Sequence, residues 1–433
     1  MLLNDKLMNF LDESHSNFHA VNKMASMLDQ KGYVRLKNNE KWDLSDKQQY
    51  YVVVNNSSIF AFDLNGYEPL QGYKIVASHT DAPTFKVKPN AVQIVNNTIL
   101  INSEAYGGLI DYTWLDRPLK LAGRVIVDVE GKLETRLFDS KKALGIIPSL
   151  AIHMNRAVNN ETKFNRHTQM RPLIGQAESF DFKAYLANEL DVEASSIIDY
   201  ELVFKPLENS TYVCVNDEFI ASNHIDNLQS AYVSFEAFLN SQNNKGVNVY
   251  ASFDNEEIGS MTKQGANATI LKDVLIRINH AFNLSEEEHL MSLAKSFIVS
   301  ADNAHANHPN YMSANDENHI VNLNGGVVVK YSANQKYTTD ALSAALMRKL
   351  SEYSGAKIQT YVNRADAPGG STLGSISSTQ LSIMSVDIGL PQLAMHSSME
   401  LAGSEDSNHM FELLKAFYEV ELIISEDSIQ IGR

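Results

Sequence analysis

Cysteine is almost absent from the sequence: the 433 residues include only one, Cys214. A lone cysteine excludes an intramolecular disulfide and is typical of proteins in the reducing cytoplasm, so we expect a cytoplasmic location. We predict that Cys214 itself is a small, buried apolar side chain.

Long apolar runs are missing as well. No uninterrupted run approaches the roughly 18 residues that a membrane-spanning helix needs. The first residues, Met1 to Lys6, contain neither the basic segment nor the apolar core of an export signal. We therefore expect a protein that neither spans a membrane nor is exported by a standard signal.

Basic residues are outnumbered by acidic ones. The sequence has 36 Lys and Arg residues against 52 Asp and Glu residues, which gives a formal net charge of −16. This charge opposes binding to phosphate backbones and anionic membranes, so we expect neither nucleic acid nor a membrane as a partner. The length of 433 residues exceeds what one hydrophobic core usually organises, which favours two domains.

The pattern of short strands predicts where the two domains lie. Residues 86–209 contain short β-rich runs separated by turns, such as Val92–Val95 and Thr98–Ile101. This profile is typical of an inserted, mostly β domain. Residues 1–85 and 210–433 would then form the other, discontinuous domain.

The larger predicted domain alternates between helical and strand patterns. Apolar spacing predicts helices within residues 1–30 and over residues 228–239. Buried strands are predicted elsewhere in the domain, for instance at Tyr73–Ser78 and Ser296–Ser300. Alternation of this kind indicates an α/β fold whose sheet is covered by helices on both faces.

Histidine and acidic residues recur where the predicted strands end. In open α/β sheets, ligands bind at the carboxyl ends of the strands. Five strand ends carry such residues, namely His79 with Asp81, Asp226, Glu256 with Glu257, Asp302, and His396. Imidazole nitrogens and carboxylate oxygens without thiols suit zinc, or alternatively manganese or cobalt. Each residue alone could equally be a helix-capping Asp or a hydrogen-bonded His, but their recurrence at equivalent positions favours a metal site.

The adjacent pair Glu256 and Glu257 is the centre of this pattern. Two neighbouring carboxylates are costly unless positive charge or a shared proton lies between them. One could bind a metal while the other handles a proton of a water molecule, a division of labour that hydrolytic metal sites require. The alternative is that the pair lies on a solvated loop edge or in the acidic first turn of a helix.

Six short motifs follow one another in order between His79 and Ser397. They are Ser78-His79-Thr80-Asp81, Asn223-His224-Ile225-Asp226-Asn227, Phe253-Asp254-Asn255-Glu256-Glu257-Ile258-Gly259, Ser300-Ala301-Asp302-Asn303-Ala304-His305, His308-Pro309-Asn310-Tyr311 and Pro391-Gln392-Leu393-Ala394-Met395-His396-Ser397. Together with Tyr106-Gly107-Gly108 in the predicted insertion, they resemble the aspartyl aminopeptidases, dinuclear zinc exopeptidases related to vacuolar aminopeptidase I.

The resemblance implies a specific fold and metal site. The fold would be of the zinc-exopeptidase type, an α/β domain with a mixed sheet sandwiched by helices and an inserted β-rich oligomerisation domain. Each subunit would bind two divalent metal ions, most readily zinc. The implied roles are a bridging Asp226, His79 and Asp302 completing one metal site, Glu257 and His396 completing the other, Asp81 orienting the imidazole of His79, and Glu256 as the general base.

The resemblance also implies residues that recognise substrate. His305 and Lys330 match a His and a Lys near the substrate side chain, and His153 matches a His that closes the site of a neighbouring subunit. The assembly would be a homo-oligomer, a dodecamer built from dimers. A local cation such as Lys330 suits an acidic substrate residue because the net charge of −16 otherwise repels it; a solvated strand end is an equal alternative for Lys330.

We therefore expect a metallo-aminopeptidase that removes N-terminal residues, above all Asp or Glu, from peptides with a free N-terminus. Asn255, Asn303 and Asn307 depart from the family pattern beside the ligands without replacing one. Such changes could move the preference toward neutral residues such as Leu. Two rival functions are hydrolysis by a deacylase on the same metal scaffold and a non-catalytic role as an oligomeric shell.

Overall fold

The computed structural model describes residues 2–45, 48–65, 70–242, 245–367, 369–370 and 372–432. Within these ranges the chain forms ten α-helices: Leu3–Glu13 (α1), Asn17–Gln30 (α2), Arg166–Gln169 (α3), Phe182–Leu190 (α4), Ile225–Asn240 (α5), Ile270–Ala281 (α6), Glu286–Ala294 (α7), Ala341–Ser354 (α8), Leu373–Leu381 (α9) and Asp406–Glu419 (α10). Among the described residues, no helix combines the length and the apolar content needed to cross a bilayer.

The same ranges contain 22 β-strands: Val34–Leu36 (β1), Gln49–Val54 (β2), Ser58–Asp63 (β3), Tyr73–His79 (β4), Thr84–Val95 (β5), Thr98–Tyr106 (β6), Leu119–Val129 (β7), Lys132–Asp139 (β8), Leu173–Gln176 (β9), Ile197–Pro206 (β10), Thr211–Val213 (β11), Phe219–Ser222 (β12), Val247–Phe253 (β13), Phe297–Ala301 (β14), Ala304–His305 (β15), Val327–Tyr331 (β16), Ile358–Val362 (β17), Met384–Gly389 (β18), Pro391–Leu393 (β19), Glu400–Gly403 (β20), Glu421–Ile424 (β21) and Ile429–Gly432 (β22).

The largest sheet has nine strands in the order β1-β2-β3-β13-β4-β14-β18-β16-β17. The central strands β13, β4, β14 and β18 run parallel to one another. β3 and β16 pair antiparallel with β13 and β18. The sheet is therefore mixed, as the resemblance implied.

Helices cover both faces of this sheet. Every residue of β4 is buried, and successive side chains of a strand point to opposite faces. Val76 packs in a hydrophobic cluster with residues of α1, α2, α5, α8 and α10. Ile75 and Ala77 pack in a second cluster with residues of α6, α7 and α9. The predicted α/β fold, with a mixed sheet between two layers of helices, is thus confirmed.

A six-stranded antiparallel sheet, in the order β8-β7-β10-β5-β6-β9, uses only strands between Thr84 and Pro206. It has its own hydrophobic cluster, which includes the buried Trp114 and Phe138. These strands match the β-rich profile predicted for residues 86–209, which we call the inserted segment. The domain boundaries themselves stay a prediction.

Two smaller sheets complete the described part of the chain. One has five strands in the order β11-β12-β20-β19-β15, and the other pairs β21 with β22. Cys214 directly follows β11, in the turn toward β12, and is exposed. The prediction of a buried cysteine was wrong because this turn position leaves the thiol in solvent.

Candidate metal centre

Three neighbouring strands bring candidate residues to one edge of the large sheet. β4 ends at His79, β13 ends just before the loop that carries Glu256 and Glu257, and β14 ends one residue before Asp302. β13 and β14 flank β4 in parallel, so their carboxyl ends meet at the same edge.

Asp226 and His396 reach this edge from other elements. Asp226 lies in the first turn of α5, and His396 follows the short strand β19. All five predicted ligands, together with Glu256, line one cavity of about 350 Å³. The structure thus brings the predicted residues together, while their roles as ligands and base stay a prediction.

One half of the site is closed to solvent. His79 Nε2 lies 3.5 Å from Asp302 Oδ1 and 3.7 Å from Asp226 Oδ1. The side chains of His79 and Asp302 are 1% and 12% exposed. We call His79 and Asp302 the closed half.

The other half is more accessible. His396 Nε2 lies 3.3 Å from Glu257 Oε2 and 3.5 Å from Asp226 Oδ2. The side chain of Glu257 is 5% exposed, but that of His396 is 29% exposed. We call Glu257 and His396 the open half; Asp226 lies between the halves with one oxygen toward each histidine.

The donor set fits a zinc site. One potential ligand atom from each of His79, Asp226 and Glu257 lies within 4.8 Å of the others. Asp226 Oδ1 is buried and has no hydrogen-bond partner among the described residues, which is costly for a carboxylate oxygen unless a cation binds it. Imidazole nitrogens and carboxylate oxygens are ligands that zinc takes in hydrolytic sites. The residues present therefore fit the metal that the sequence predicts.

The acidic side chains of the site are crowded. Burial raises the pKa of Glu256 to about 9; the carboxylates of Asp302 and Glu257 add to this shift, although His79 opposes it. Burial likewise raises the pKa of Glu257 to about 7, against a hydrogen bond from His396. Because neighbouring negative charges disfavour ionisation of these carboxyl groups, a bound cation would stabilise their charged forms.

The two histidines are shifted toward the charged form. Burial would lower the pKa of His396, but hydrogen bonds with Asp226 and Glu257 raise it to about 11. Burial would also lower the pKa of His79, but hydrogen bonds with two carboxylates raise it well above its ordinary value. In the metal-free site these imidazoles therefore carry protons that balance part of the carboxylate charge.

Asp81 supports three groups of the site. Its Oδ1 lies 3.3 Å from His79 Nδ1 and accepts a hydrogen bond from the backbone N–H of Glu256 at 3.1 Å. Its Oδ2 accepts one from the backbone N–H of Glu257, also at 3.1 Å. Because Nδ1 of His79 is engaged, Nε2 faces the cavity, which is the geometry that the predicted orienting role needs.

Glu400 is a supporting residue that the sequence analysis missed. Its carboxylate accepts hydrogen bonds from the backbone N–H groups of His396 at 2.7 Å and Asp226 at 3.1 Å. Gln392 donates a third at 3.2 Å. Burial, together with the charge of Asp226, raises the pKa of Glu400 to about 8. One isolated acid at the start of β20 carries no sequence signal, because its partners are distant in the chain.

Backbone strain is concentrated in the loops of the site. His224, Asn255 and His396 have φ values of 59°, 62° and 68°, in the left-handed region that is sterically costly for residues other than glycine. Asn255 directly precedes Glu256, and His224 lies two residues before Asp226. The surrounding contacts must therefore hold these loops in place.

Lys330 lies inside β16 and is only 2% exposed, so the alternative of a solvated strand end is wrong. Its Nζ donates a hydrogen bond to the carbonyl oxygen of Asn303 at 2.9 Å and lies 3.6 Å from Asp302 Oδ2. Burial would lower its pKa, but Asp302 and Tyr337 raise it above the ordinary value. A charged ammonium group therefore lines the cavity.

The other two predicted substrate residues differ in location. His305 lines the same cavity as Lys330. His153 is exposed in a turn of the inserted segment and does not line the cavity. Its predicted role, in the site of a neighbouring subunit, stays a prediction.

Asn303 departs from the family pattern, and its contacts explain how the site accommodates it. Its Nδ2 donates hydrogen bonds to Gln392 Oε1 at 2.5 Å and Gln229 Oε1 at 3.2 Å, and its Oδ1 accepts one from Ser230. Its backbone N–H donates to Asn227 Oδ1 at 3.2 Å. The loop after β14 is therefore held by a satisfied polar network.

Comparison with known proteins agrees with the architecture and the donor set. Residues 10–418 match the model of the family described as "Aminopeptidase I zinc metalloprotease (M18)". A probable M18 family aminopeptidase 2 from Clostridium novyi (strain NT) is 41% identical over 425 residues, which cover 96% of this chain and 98% of the relative.

Solved structures share the fold over nearly the whole chain. The structure of the Ape4 and Nbr1 complex superposes with a TM-score of 0.92 at 34% identity, covering 95% of this chain and 84% of that chain. The S. cerevisiae mApe1 dodecamer gives a TM-score of 0.83 at 25% identity, covering 96% of this chain and 95% of that chain. The resemblance indicated by the motifs is confirmed, and the chain belongs to the M18 family of zinc aminopeptidases.

Proposed function

We propose that this M18 aminopeptidase uses two zinc ions to release an acidic N-terminal residue from peptides. The observation that carries the proposal is one cavity that holds the five candidate ligands, the half-buried Glu256 and the buried Lys330. The ligands and Glu256 account for hydrolysis, and Lys330 accounts for the choice of substrate residue.

The proposed ligands divide as the two halves of the site do. His79 and Asp302 would hold one ion, Glu257 and His396 the other, and Asp226 both, since its two carboxylate oxygens point to different histidines. When bound, two neighbouring divalent ions would activate a water molecule and polarise the scissile carbonyl.

Glu256 is the proposed general base. Its side chain lines the cavity, and its backbone is fixed by the hydrogen bond to Asp81. Positive charge in the site lowers its pKa from about 9 toward neutral pH. Glu256 then accepts a proton from the attacking water and delivers it to the leaving amine.

Release of one residue at a time requires recognition of the free α-amino group. Four acidic side chains line the cavity, namely Asp226, Glu256, Glu257 and Asp302. Two zinc ions would balance the charge of the three ligand carboxylates, so the carboxylate of Glu256, beside the attacking water, is the proposed acceptor for the ammonium group.

Lys330 is the proposed partner of the substrate carboxylate. Its ammonium group is buried, charged and held by Asn303, and Tyr337 and Tyr361 line the cavity with it. A fixed cation in a closed pocket is a strong binding partner for a carboxylate. His305, which lines the same cavity, would contact the substrate from its exposed position.

The test is release of the N-terminal residue from matched peptides that begin with Asp, Glu, Leu or Lys. The zinc-loaded protein is compared with Glu256→Gln. We expect fast release from the Asp and Glu peptides and a loss of roughly 100-fold or more in the variant. Release of Leu alone would keep the chemistry and overturn the acidic preference. Equal hydrolysis of N-acetylated and free peptides would identify a deacylase, and no hydrolysis would favour a non-catalytic shell.

Lys330→Met tests the specificity residue directly. We expect kcat/KM for Asp peptides to fall roughly 10- to 100-fold more than for Leu peptides, because a charged hydrogen bond is lost only with the acidic substrate. Lys74→Met is the matched control, since Lys74 is also buried but donates to the carbonyl oxygens of Tyr418 and Val420. Equal losses for both peptides would remove Lys330 from the specificity argument.

We further propose a homo-dodecamer, the assembly described for S. cerevisiae mApe1. Leu150, Ile152 and Met154 flank His153 and are 57%, 52% and 75% exposed in the isolated chain. Three exposed apolar side chains within five positions suit a subunit contact. Such a contact would place His153 near the site of a neighbouring subunit. Sedimentation analysis of the protein and of Ile152→Asp tests this; a monomeric native protein would contradict it.

A further inference from the structure

Residues 106–113, which we call the site-facing loop, connect the inserted segment to the candidate metal centre. The loop begins at the last residue of β6 and contacts His396 of the open half and Asp81, which supports the closed half. Tyr106 donates a hydrogen bond to Asp81 Oδ2 at 2.7 Å. His396 Nδ1 lies 2.9 Å from the carbonyl oxygen of Gly108, and the N–H of Ile110 donates to the carbonyl oxygen of His396 at 3.1 Å.

The contact with Asp81 is built from a chain of hydrogen bonds. The hydroxyl of Tyr106 accepts from Asn255 Nδ2 at 2.8 Å. The amide oxygen of Asn255 accepts from Thr262 and Gln264, each at 2.8 Å. With Asn255 acting as donor, the Tyr106 proton is directed to Asp81. Burial and the Asp81 carboxylate raise the pKa of Tyr106 above its ordinary value, so the hydroxyl remains a donor.

The contact with His396 determines which ring nitrogen faces the cavity. A backbone carbonyl can only accept, so the Gly108 oxygen requires a proton on Nδ1. Nε2 of the neutral ring is then free to bind a cation.

The loop approaches the site too closely for side chains at two positions. A Cβ added at Gly107, where φ is 75°, would lie 3.2 Å from the Cβ of Glu257. A Cβ added at Gly108 would lie 3.3 Å from His396 Nδ1. Both contacts are tighter than ordinary van der Waals distance, so glycine is what allows the loop to reach the ligands.

Tyr106 and Asp81 also border a second cavity. This cavity, of about 300 Å³, is lined by residues of α2, of the inserted segment and of the loop after β13, including Phe18, Val203 and Asp254. The Tyr106 hydroxyl therefore makes the hydrogen bond to Asp81 Oδ2 that a water molecule in this cavity could otherwise make.

We propose that the site-facing loop is a positioning element of the metal centre: Tyr106 fixes Asp81 and the Gly108 carbonyl fixes His396, so that the inserted segment sets zinc affinity within its own chain. The inference rests on the proposed zinc site. It gives the inserted segment a role in each single subunit, separate from any role in assembly.

The first test is Tyr106→Phe in the full-length protein. Zinc affinity is measured by competition with a chromophoric zinc chelator, and kcat and KM are measured at limiting and at saturating zinc. We expect zinc affinity to fall several-fold, less than the roughly 10- to 100-fold loss of a direct partner of a metal ligand, because Tyr106 acts through Asp81. Activity should recover substantially at saturating zinc, because the ligands and Glu256 are intact.

Tyr200→Phe is the matched control. Tyr200 also lies in the inserted segment, and its hydroxyl donates to the backbone carbonyl oxygens of Lys88 and Pro89. Unchanged zinc affinity in this variant, with a loss in Tyr106→Phe, supports the inference. Wild-type affinity in Tyr106→Phe, or equal losses in both variants, overturns it.

Gly108→Ala tests the contact with His396 independently. The added methyl group displaces the imidazole, so we expect zinc affinity to fall while the thermal midpoint of the metal-free protein stays close to that of the wild type. Gly175→Ala is the control, because a Cβ there meets only Ile99 at an ordinary 3.6 Å. Equal zinc affinity in the two variants would contradict the role of the loop.

These measurements separate the inference from the proposed function. A wild-type protein that binds zinc but cleaves no peptide would reject the proposed function, while the affinities would still decide the role of the loop. A wild-type protein that cleaves acidic peptides, with unchanged zinc affinity in Tyr106→Phe, would reject the inference alone.

Discussion

The closed half and the open half of the site use the same kinds of side chain in different surroundings. His79 and His396 each face Asp226 and one further carboxylate, but their side chains are 1% and 29% exposed. His396 is thus the candidate ligand that solvent reaches most readily, although both halves line the same cavity. The two halves therefore differ in the solvent access of their histidines.

Each half also has its own supporting carboxylate. Asp81 contacts His79 and the backbone of Glu256 and Glu257, and hydrogen bonds with His79 and Tyr106 lower its pKa even though burial opposes this. Glu400 supports the open half, but its pKa is raised to about 8 by burial and Asp226. In the metal-free protein at neutral pH, Asp81 is thus ionised, whereas Glu400 is largely protonated.

The largest expected effect comes from removing one histidine at a time. In the metal-free protein, His79→Ala should lower the free energy of unfolding by roughly 3–5 kcal/mol, because it removes a buried charged partner of Asp81 and Asp302. His396→Ala should cost about 1 kcal/mol or less, because water can reach that half. Urea unfolding in the presence of a chelator measures both.

His280→Ala is the control for this comparison, since His280 is exposed at the end of α6. It should change the free energy of unfolding little. Equal losses for His79→Ala and His396→Ala would mean that the two halves do not differ in solvent access, and the comparison would fail.

The second prediction contrasts the two supporting carboxylates. Asp81→Asn should lower zinc affinity roughly 10- to 100-fold, because the ionised group behind His79 loses its charge. Glu400→Gln should lower it only a few-fold, because at pH 7 the amide replaces a carboxyl group that is already mostly neutral. Chelator competition measures both affinities. A larger loss in Glu400→Gln would show that Glu400 is ionised in the zinc-bound protein.

The third prediction uses pH. In the metal-free open half, His396 with a pKa of about 11 and Glu257 with a pKa of about 7 both hold protons below pH 7. In the closed half only His79 does, because the charge of Lys330 and hydrogen bonding with His79 lower the pKa of Asp302 to about 2 despite its burial.

Zinc must displace these protons, and each one lowers affinity by about tenfold per pH unit as the pH falls. Zinc affinity therefore falls in both halves as the pH decreases, and below about pH 7 it falls more steeply in the open half. Calorimetry in buffers of different ionisation enthalpy counts the protons released. Equal proton release from the two zinc-binding steps would contradict the prediction that the open half holds one proton more than the closed half.

The grouping of the candidate ligands could be predicted from the sequence because several of them follow strands whose apolar runs are easy to recognise. His79 and Asp302 come at or directly after β4 and β14, which are wholly buried. Once these strands are inferred to be parallel, their carboxyl ends are expected at one edge of the sheet, and the His, Asp and Glu residues there indicate a metal site. The α/β fold was predictable for the same reason.

The supporting role of Glu400 could not be predicted because its partner Asp226 is far along the chain. Glu400 and Asp226 are separated by 174 positions, and Glu400 starts one of the short strands of the five-stranded sheet. That sheet has strands of two to four residues, too short for an alternating pattern to emerge. Likewise, the burial of Lys330 depends on packing between β17 and β18 on either side of its strand.

The order of strands in the large sheet has a consequence during synthesis. β4 lies between β13 and β14, both of which come much later in the chain. A ribosome adding roughly 5–20 residues per second exposes His79 for some tens of seconds before His396 exists. Until β13 and β14 have been made, β4 has two unpaired edges and an apolar surface, which invites association with other chains. Nascent chains of this protein should therefore be clients of ribosome-bound chaperones, and no product truncated before His396 can hold the complete set of candidate metal ligands.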